Sequence, residues 1–170
     1  MILTVTLNAA LDVTYELDAV AWGGSNRVRA VRRRAGGKGV NVARVLTALG
    51  ADVLATGLLG GDTGDLIGAD LDRAGIGHAF APVAGSSRRT LTAVATASGE
   101  ATVFNEPGPE ITPAEWNSFL DRYRSMSSQA RQAVALSAAA VRAPLAGDFD
   151  AGTHIRILPE ITVQGVPCPS

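Results

Sequence analysis

Arg34-Ala35-Gly36-Gly37-Lys38-Gly39-Val40-Asn41 constrains this chain more than any other stretch. Three glycines crowd one lysine, and an apolar repeat begins at once. Val42, Val45, Leu46 and Leu49 stand at i, i+3, i+4 and i+7. That spacing predicts a helix over Gly39–Leu49 with those four side chains on one face. Gly50 stands where a left-handed residue would end it. The glycines therefore open a helix, whose first N–H groups and positive dipole end face the loop beside a lysine ammonium. Such a corner suits an anion or a polyol. It is not a G-x-x-x-x-G-K-[ST] nucleotide loop, because Arg32 takes the first glycine's place and Gly39 comes directly after Lys38. No G-x-G-x-x-G leads from a strand into a helix either. Taken alone, G-G-K-G fits a tight turn with a surface lysine as well as it fits a binding loop.

The loop must belong to a domain with a real core, since 46% of the 170 residues are hydrophobic. Charged residues make up only 18% and glycines number 19, which suits an α/β protein with buried parallel strands and tight turns. The net charge of −1 gives no support to a nucleic-acid or membrane partner. Cys168 is the single cysteine, so an intrachain disulfide and a cysteine metal cluster are excluded. A reducing cytoplasm is the expected compartment. The start runs into a strand with no charged leader and no long apolar run, which predicts a protein that is not exported.

Along the chain, strand and helix signals alternate. Ile2 to Leu7 reads as a central strand, and Asn8 to Asp12 leaves its end, where ligands of open α/β sheets gather. Asp12 there can accept hydrogen bonds from hydroxyls, or serve only as a turn residue. Val13 to Val20 and Arg27 to Arg34 read as a two-stranded excursion, its arginines largely solvated. Val53 to Leu59 is a continuous apolar run, hence a buried parallel strand. Gly60-Gly61-Asp62-Thr63-Gly64 then turns into a helix, with Asp62 or Thr63 as its N-cap, Ile67, Leu71 and Ala74 inward, and Gly75 at its end. Gly77 to Val83 is a weak strand in which His78 is structural. Arg88 to Ala97 and Ala101 to Asn105 form a hairpin, and Asn105-Glu106-Pro107-Gly108-Pro109 a rigid turn. Thr112, Pro113 and Glu115 mark a helix start as N-cap, N1 and N3, and Trp116, Phe119, Leu120 and Tyr123 form its core stripe.

Four separated motifs occur in order: T-L-N-A-A-L-D-V-T (Thr6 to Thr14), G-G-K-G-V-N-V-A-R (Gly36 to Arg44), G-G-D-T-G (Gly60 to Gly64) and N-E-P-G-P-E-I (Asn105 to Ile111). Together they resemble the N-terminal half of the ribokinase-like sugar kinases, in the branch of 1-phosphofructokinase and tagatose-6-phosphate kinase. The resemblance runs from Met1 to about Tyr123. It implies a three-layer α/β/α unit with a projecting β-lid, whose strands lie at about 13–34 and 88–105 within an N-terminal sugar-binding part, 1–124. It implies an ATP- and magnesium-dependent kinase acting on a sugar phosphate such as fructose 1-phosphate. Lys38 with Arg88 or Arg89 would hold the substrate phosphate. Asp12, Gly36, Gly37, Asn41 and Asn105 would lie around the sugar. Relatives carry an asparagine two residues beyond the arginine, and if Arg89 is the match, Leu91 replaces it. Relatives also form a homodimer contact through the lid.

Beyond Arg124 the resemblance changes. Gln129 to Val141 is alanine-rich and reads as a helix, and Val141 to Val163 resembles the family's extreme C-terminus, so 125–170 reads as a remnant of that end. The intervening Ser-Gly-Ser-like turn, Lys-Pro-Asn-like segment and Gly-Ala-Gly-Asp loop are missing, and with them the anion hole, the general-base aspartate and the ATP pocket. Ser125 to Ser128 reads as the scar of an internal deletion. Ala146-Gly147-Asp148 is no substitute, since it lacks the first glycine and no amphipathic helix comes after it. Losing an anion hole alone costs roughly 2–4 kcal/mol of transition-state stabilisation. The sequence thus predicts no catalytic residue and no well-bound ATP. It leaves a non-catalytic sugar-phosphate-binding or dimerising module, or a decayed gene product, as the alternatives to a truncated kinase. A frameshift or deletion junction in the coding region would separate them. Loss of the middle should also expose a central strand's flank, with Val53 to Leu59 as the expected new edge, partly covered by the helix at Gln129–Val141.

Overall fold

A computed structural model of the chain describes residues 1–130 and 132–135. Its base is a parallel sheet in the order β5-β4-β1-β8. β1 (Ile2–Thr6) lies between β4 (Val53–Leu59) and β8 (Gln132–Ala135), in register Ile2↔Val53 on one side and Ile2↔Gln132 on the other. β5 (Ala81–Pro82) pairs with the end of β4, and His78 makes one further bridge to Ala55. Because side chains alternate along a strand, each face of β1 has its own partner. Leu3, Val5 and Leu7 join Trp116, Phe119 and Tyr123 of α3 (Pro113–Ser127). On the other face, Val53, Ala55 and partly buried Ile2 meet Val40 and Ala43 of α1 (Lys38–Ala48) and Ile67 and Leu71 of α2 (Gly61–Arg73). Helices on both faces of a mostly parallel sheet make three layers, the architecture expected from the motifs.

The second sheet, β3-β2-β6-β7, is the projecting lid. β2 (Ala10–Leu17) pairs antiparallel with β3 (Ala30–Gly36) and parallel with β6 (Arg88–Ala95), which forms a hairpin with β7 (Glu100–Asn105). One face, around Leu11, Val13 and Ala35, packs on the α2 layer. Asp12 therefore lies inside β2, between Leu11 and Val13, and not in a loop leaving the first strand.

Several local expectations are corrected. The inward face of α1 is Gly39, Val40 and Ala43, while Val45 and Leu49 are 59% and 76% exposed. The helix lies so close to β1 that a Cβ on Gly39 would stand 2.5 Å from the Val5 carbonyl oxygen, so the smallest residues, not the largest, mark the contact. Neither Asp62 nor Thr63 caps α2. Gly60 does, donating its N–H to Ser87 Oγ at 3.0 Å, and Asp62 falls within the first turn. Ala74 is exposed, and Ile76 takes the inward place after Leu71. Residues 132–135 are a strand, not part of a helix, because the flank of β1 offers unpaired ladder groups and pairing there overrides alanine's helix propensity. With β1 on one side and β5 and the His78 bridge on the other, Val53–Leu59 lies inside the sheet and not at its edge. The remainder of the segment 136–141, the family-tail resemblance and Ala146-Gly147-Asp148 lie outside the described residues.

By contrast, Thr112 and Glu115 form the full capping box, with Pro113 at the first turn. Gly50 and Gly75 end their helices at φ 77° and 65°.

Candidate functional site: the lid face above the first helix

The end of β1 and the start of α1 are locked together. Thr6 Oγ1 accepts the buried Val40 N–H at 2.9 Å, doing from a neighbouring strand what an N-cap side chain would do. The N-cap itself is Gly37, at φ 115°, and no acidic residue stands in the first turn. The helix's positive end is thus left without a carboxylate of its own. Lys38 is the first helical residue, exposed, and without an ion pair among the described residues. Asn41, one turn on, is also exposed, and its N–H closes the turn on the Gly37 carbonyl at 2.8 Å.

Gly36 joins this corner to the lid. A Cβ at Gly36 would overlap the Asp12 carboxylate, so only glycine lets Asp12 lie against the loop. The lid's register then builds a polar row. Arg34 of β3 stands opposite Asp12 of β2, Asp12 opposite Thr90 of β6, and Thr90 opposite Asn105 of β7. Residues opposite one another in a sheet share a face, so four strands contribute one row on one surface. Arg88, two residues before Thr90, is on that face too. Its guanidinium donates to the Asn8 carbonyl at 3.3 Å, to Thr90 Oγ1 at 3.1 Å and to Asn105 Oδ1 at 3.5 Å. Thr90 in turn donates to Asn105 Oδ1 at 3.3 Å.

Burial pushes the Asp12 carboxyl above its ordinary value of 3.8, and Arg88, a hydrogen bond from Thr90 and Arg34 pull it partly back. The charged form of that carboxyl is therefore costlier to hold than in a freely solvated aspartate.

Arg89 points the other way. It sits on the lid's opposite face in a two-pronged pair with Glu106, donating from Nε at 3.0 Å and from NH2 at 2.9 Å, while its backbone N–H donates to the same carboxylate at 2.8 Å. Hydrogen bonds from Arg89 hold the Glu106 carboxyl below the ordinary range. Of the sequence-derived residues, Asp12, Gly36, Gly37, Lys38, Arg88 and Asn105 gather at one corner, with Asn41 a helical turn away and Arg89 turned from it. Sequence reasoning passed over Thr90, Arg34 and Asn8. The alternation in Arg88-Arg89-Thr90-Leu91-Thr92 carried the signal, since it separates a polar face from an apolar one and places Arg88 on the former.

One hollow beside α2, of about 530 Å3, is lined by Tyr15, Leu66, Leu91 and Arg33, and another, of about 710 Å3, reaches Arg88 along with Arg89, Ser87 and Glu106. Asp62 lines the former from the first turn of α2, on the other side of the lid from Asp12. Among the described residues no group of three His, Cys, Asp or Glu side chains could hold a metal ion. The row offers one carboxylate, a hydroxyl, an amide and guanidinium groups, which can hydrogen-bond hydroxyls and anions.

A three-layer α/β unit with a four-stranded lid beside a glycine-led helix start is the architecture of the ribokinase-like class. Residues 5–149 match the family model described as pfkB family carbohydrate kinase, and the chain belongs to that family. It is similar to the structure of a Thermotoga maritima protein described as a possible 1-phosphofructokinase, with 30% identity, 83% of this chain and 46% of that one covered, and a TM-score of 0.75. It is also similar to Escherichia coli phosphofructokinase-2 in complex with potassium, with 26% identity, 82% and 44% covered, and a TM-score of 0.74. The tetrameric inhibited form of the Escherichia coli enzyme matches with 27% identity, 80% and 44% covered, and a TM-score of 0.72. The chain spans a little under half the length of these structures. No described helix is long and apolar enough to cross a membrane.

Proposed function

We propose that this chain is the sugar-phosphate-binding part of a 1-phosphofructokinase-type kinase, and that it does not transfer phosphate from ATP by itself. The observation that carries this reading is the meeting of Asp12, Arg88 and the Lys38 helix start around Gly36. A phosphate on the substrate would be drawn to the helix end, Lys38 and Arg88. Asp12 would accept from a sugar hydroxyl, and Asn105 and Thr90 would fix the ring's orientation. In the intact family ATP supplies the transferred phosphoryl group. Here no described residue is assigned to hold ATP, and no base is assigned to take the hydroxyl proton. Phosphoryl transfer depends on positioning and charge stabilisation of the transferring group, so a chain with only the acceptor side has no efficient route to it.

The test is calorimetry with fructose 1-phosphate on the wild type and on Lys38→Ala, beside a coupled assay with ATP. The expected result is weak binding, lowered about tenfold by Lys38→Ala, and no turnover. Equal binding by both proteins would remove the assigned site. Turnover abolished by Asp62→Asn or Asp148→Asn would mean that a rebuilt catalytic site exists.

The same reading extends to a partner. The lid's other face presents Val31 and Phe104, 43% and 46% exposed, and Trp22 packs against Phe104 at 6.3 Å between ring centroids while remaining 72% exposed. An apolar sheet face of this kind suits a second copy of the chain, pairing lid to lid.

A further inference from the structure

We propose that Arg44 and Asp70, which touch no substrate in this reading, are positioning residues that fix the hinge of the lid. The inference rests on the sugar-phosphate reading of the Gly36 corner. Ala35 directly precedes Gly36, the last residue of β3 and the first glycine of the loop. β3 is the outer strand of the lid, so its outward backbone groups have no neighbouring strand. Ala35 is completely buried, and an unpaired buried peptide group is costly.

Two helices answer for it. The Ala35 N–H donates to Asp70 Oδ2 of α2 at 2.9 Å. The Ala35 carbonyl accepts from Arg44 NH2 of α1 at 3.4 Å. The same Arg44 nitrogen donates to the same Asp70 oxygen at 3.0 Å, closing a ring of three groups from three elements. Both side chains are mostly buried, at 19% and 13% exposed, and Arg73 approaches the other Asp70 oxygen at 3.6 Å. The pair thus presents an acceptor and a donor to one peptide, as an adjacent strand would. It does so next to Gly36, whose position decides whether Asp12 lies against the helix start. Arg44 Nε is buried with no hydrogen-bond partner, so the guanidinium has not been placed to satisfy itself best. Its orientation favours the carbonyl and the carboxylate. Both bonds leave one terminal nitrogen, NH2, so what the arginine supplies is the reach and direction of that nitrogen, which a shorter lysine matches only in part.

The test measures amide exchange and affinity together, on the full chain, for Asp70→Ala, Asp70→Asn and Arg44→Lys. Asparagine keeps an acceptor for the Ala35 N–H, so Asp70→Asn controls for folding and offers partial rescue. Expected for Asp70→Ala is exchange at Ala35 roughly ten- to a hundredfold faster, with α3 unchanged, and fructose 1-phosphate binding weaker by about tenfold or more. Arg44→Lys should fall between Asp70→Ala and the wild type. Unchanged protection at Ala35 in Asp70→Ala and Arg44→Lys would overturn the inference whether or not the ligand binds. Faster exchange with unaltered affinity would reduce the pair to a structural tether and overturn its positioning role. Wild type that fails to bind, with exchange still accelerated in Asp70→Ala, would overturn the sugar-phosphate reading and leave the hinge standing.

Discussion

Asp12 is held where charge is both useful and costly. Burial outweighs Arg88, Thr90 and Arg34 in raising its pKa. The folded chain therefore binds the Asp12 proton more tightly than the unfolded chain does. Stability contributed by that proton is full below 3.8 and is lost as pH rises through the raised folded value. Asp12→Asn should accordingly melt at or slightly above the wild-type temperature at pH 7 while losing sugar-phosphate affinity, a divergence that calorimetry and thermal melts would show. A parallel loss of both would mean that the carboxylate holds the fold and not the ligand. The two neighbouring arginines make a sharper contrast. Arg88→Ala should weaken fructose 1-phosphate binding by about tenfold or more, whereas Arg89→Ala should leave it within about twofold, since it breaks only an exposed pair. The sequence held Asp12, Lys38 and Asn105 in recognisable motifs. It left Arg88 and Arg89 unresolved because adjacent residues are alike in composition and differ only in the face they take. Once β6 is known to pair with β2 in register, Thr90 falls opposite Asp12 and the choice is made.

At the scale of elements, α3 tests how much a helix start contributes. Thr112 Oγ1 accepts the Glu115 N–H at 3.3 Å, and the Glu115 carboxylate accepts from the Thr112 N–H at 2.8 Å and from the Ala84 N–H at 2.6 Å. Thr112→Ala should cost about 1 kcal/mol, read as a melting temperature lower by about 3 °C. Those hydrogen bonds, Ala84's first, hold the Glu115 carboxyl below 4.5. Its contribution is present above that value and is lost as pH falls through the lower folded one. Acid titration of Glu115→Gln should therefore lack one component of the wild-type loss. This helix was readable because cap, proline and aromatic stripe agree. α1 was readable as a helix but not in its orientation, because Gly39 and Ala43 face the sheet and carry no apolar signal. β8 was unreadable because its strand state comes from β1 and not from its own alanines.

For the whole molecule, the two faces of the lid divide the work: one carries the polar row, and the other is apolar, packed on α2 near Leu11 and Val13 and exposed at Val31 and Phe104. If that exposed apolar part pairs with a second copy, sedimentation should show a concentration-dependent dimer that Phe104→Asp or Trp22→Asp pushes toward monomer, with sugar-phosphate binding per chain preserved. A monomer at all concentrations would refute the pairing. The lid also has a consequence in time. Its central strands, β2 and β6, join Ala10 to Arg88 in parallel, with β3, α1, β4, α2 and β5 between them in the chain. A parallel contact over so long a loop is slow to close, and loop closure must precede its reward. Without β6, β2 and β3 form a hairpin that lacks the strand between it and β7. The site exists only when β6 brings Arg88 and Thr90 beside Asp12, so any partial fold short of that pairing is a layer and not yet a receptor.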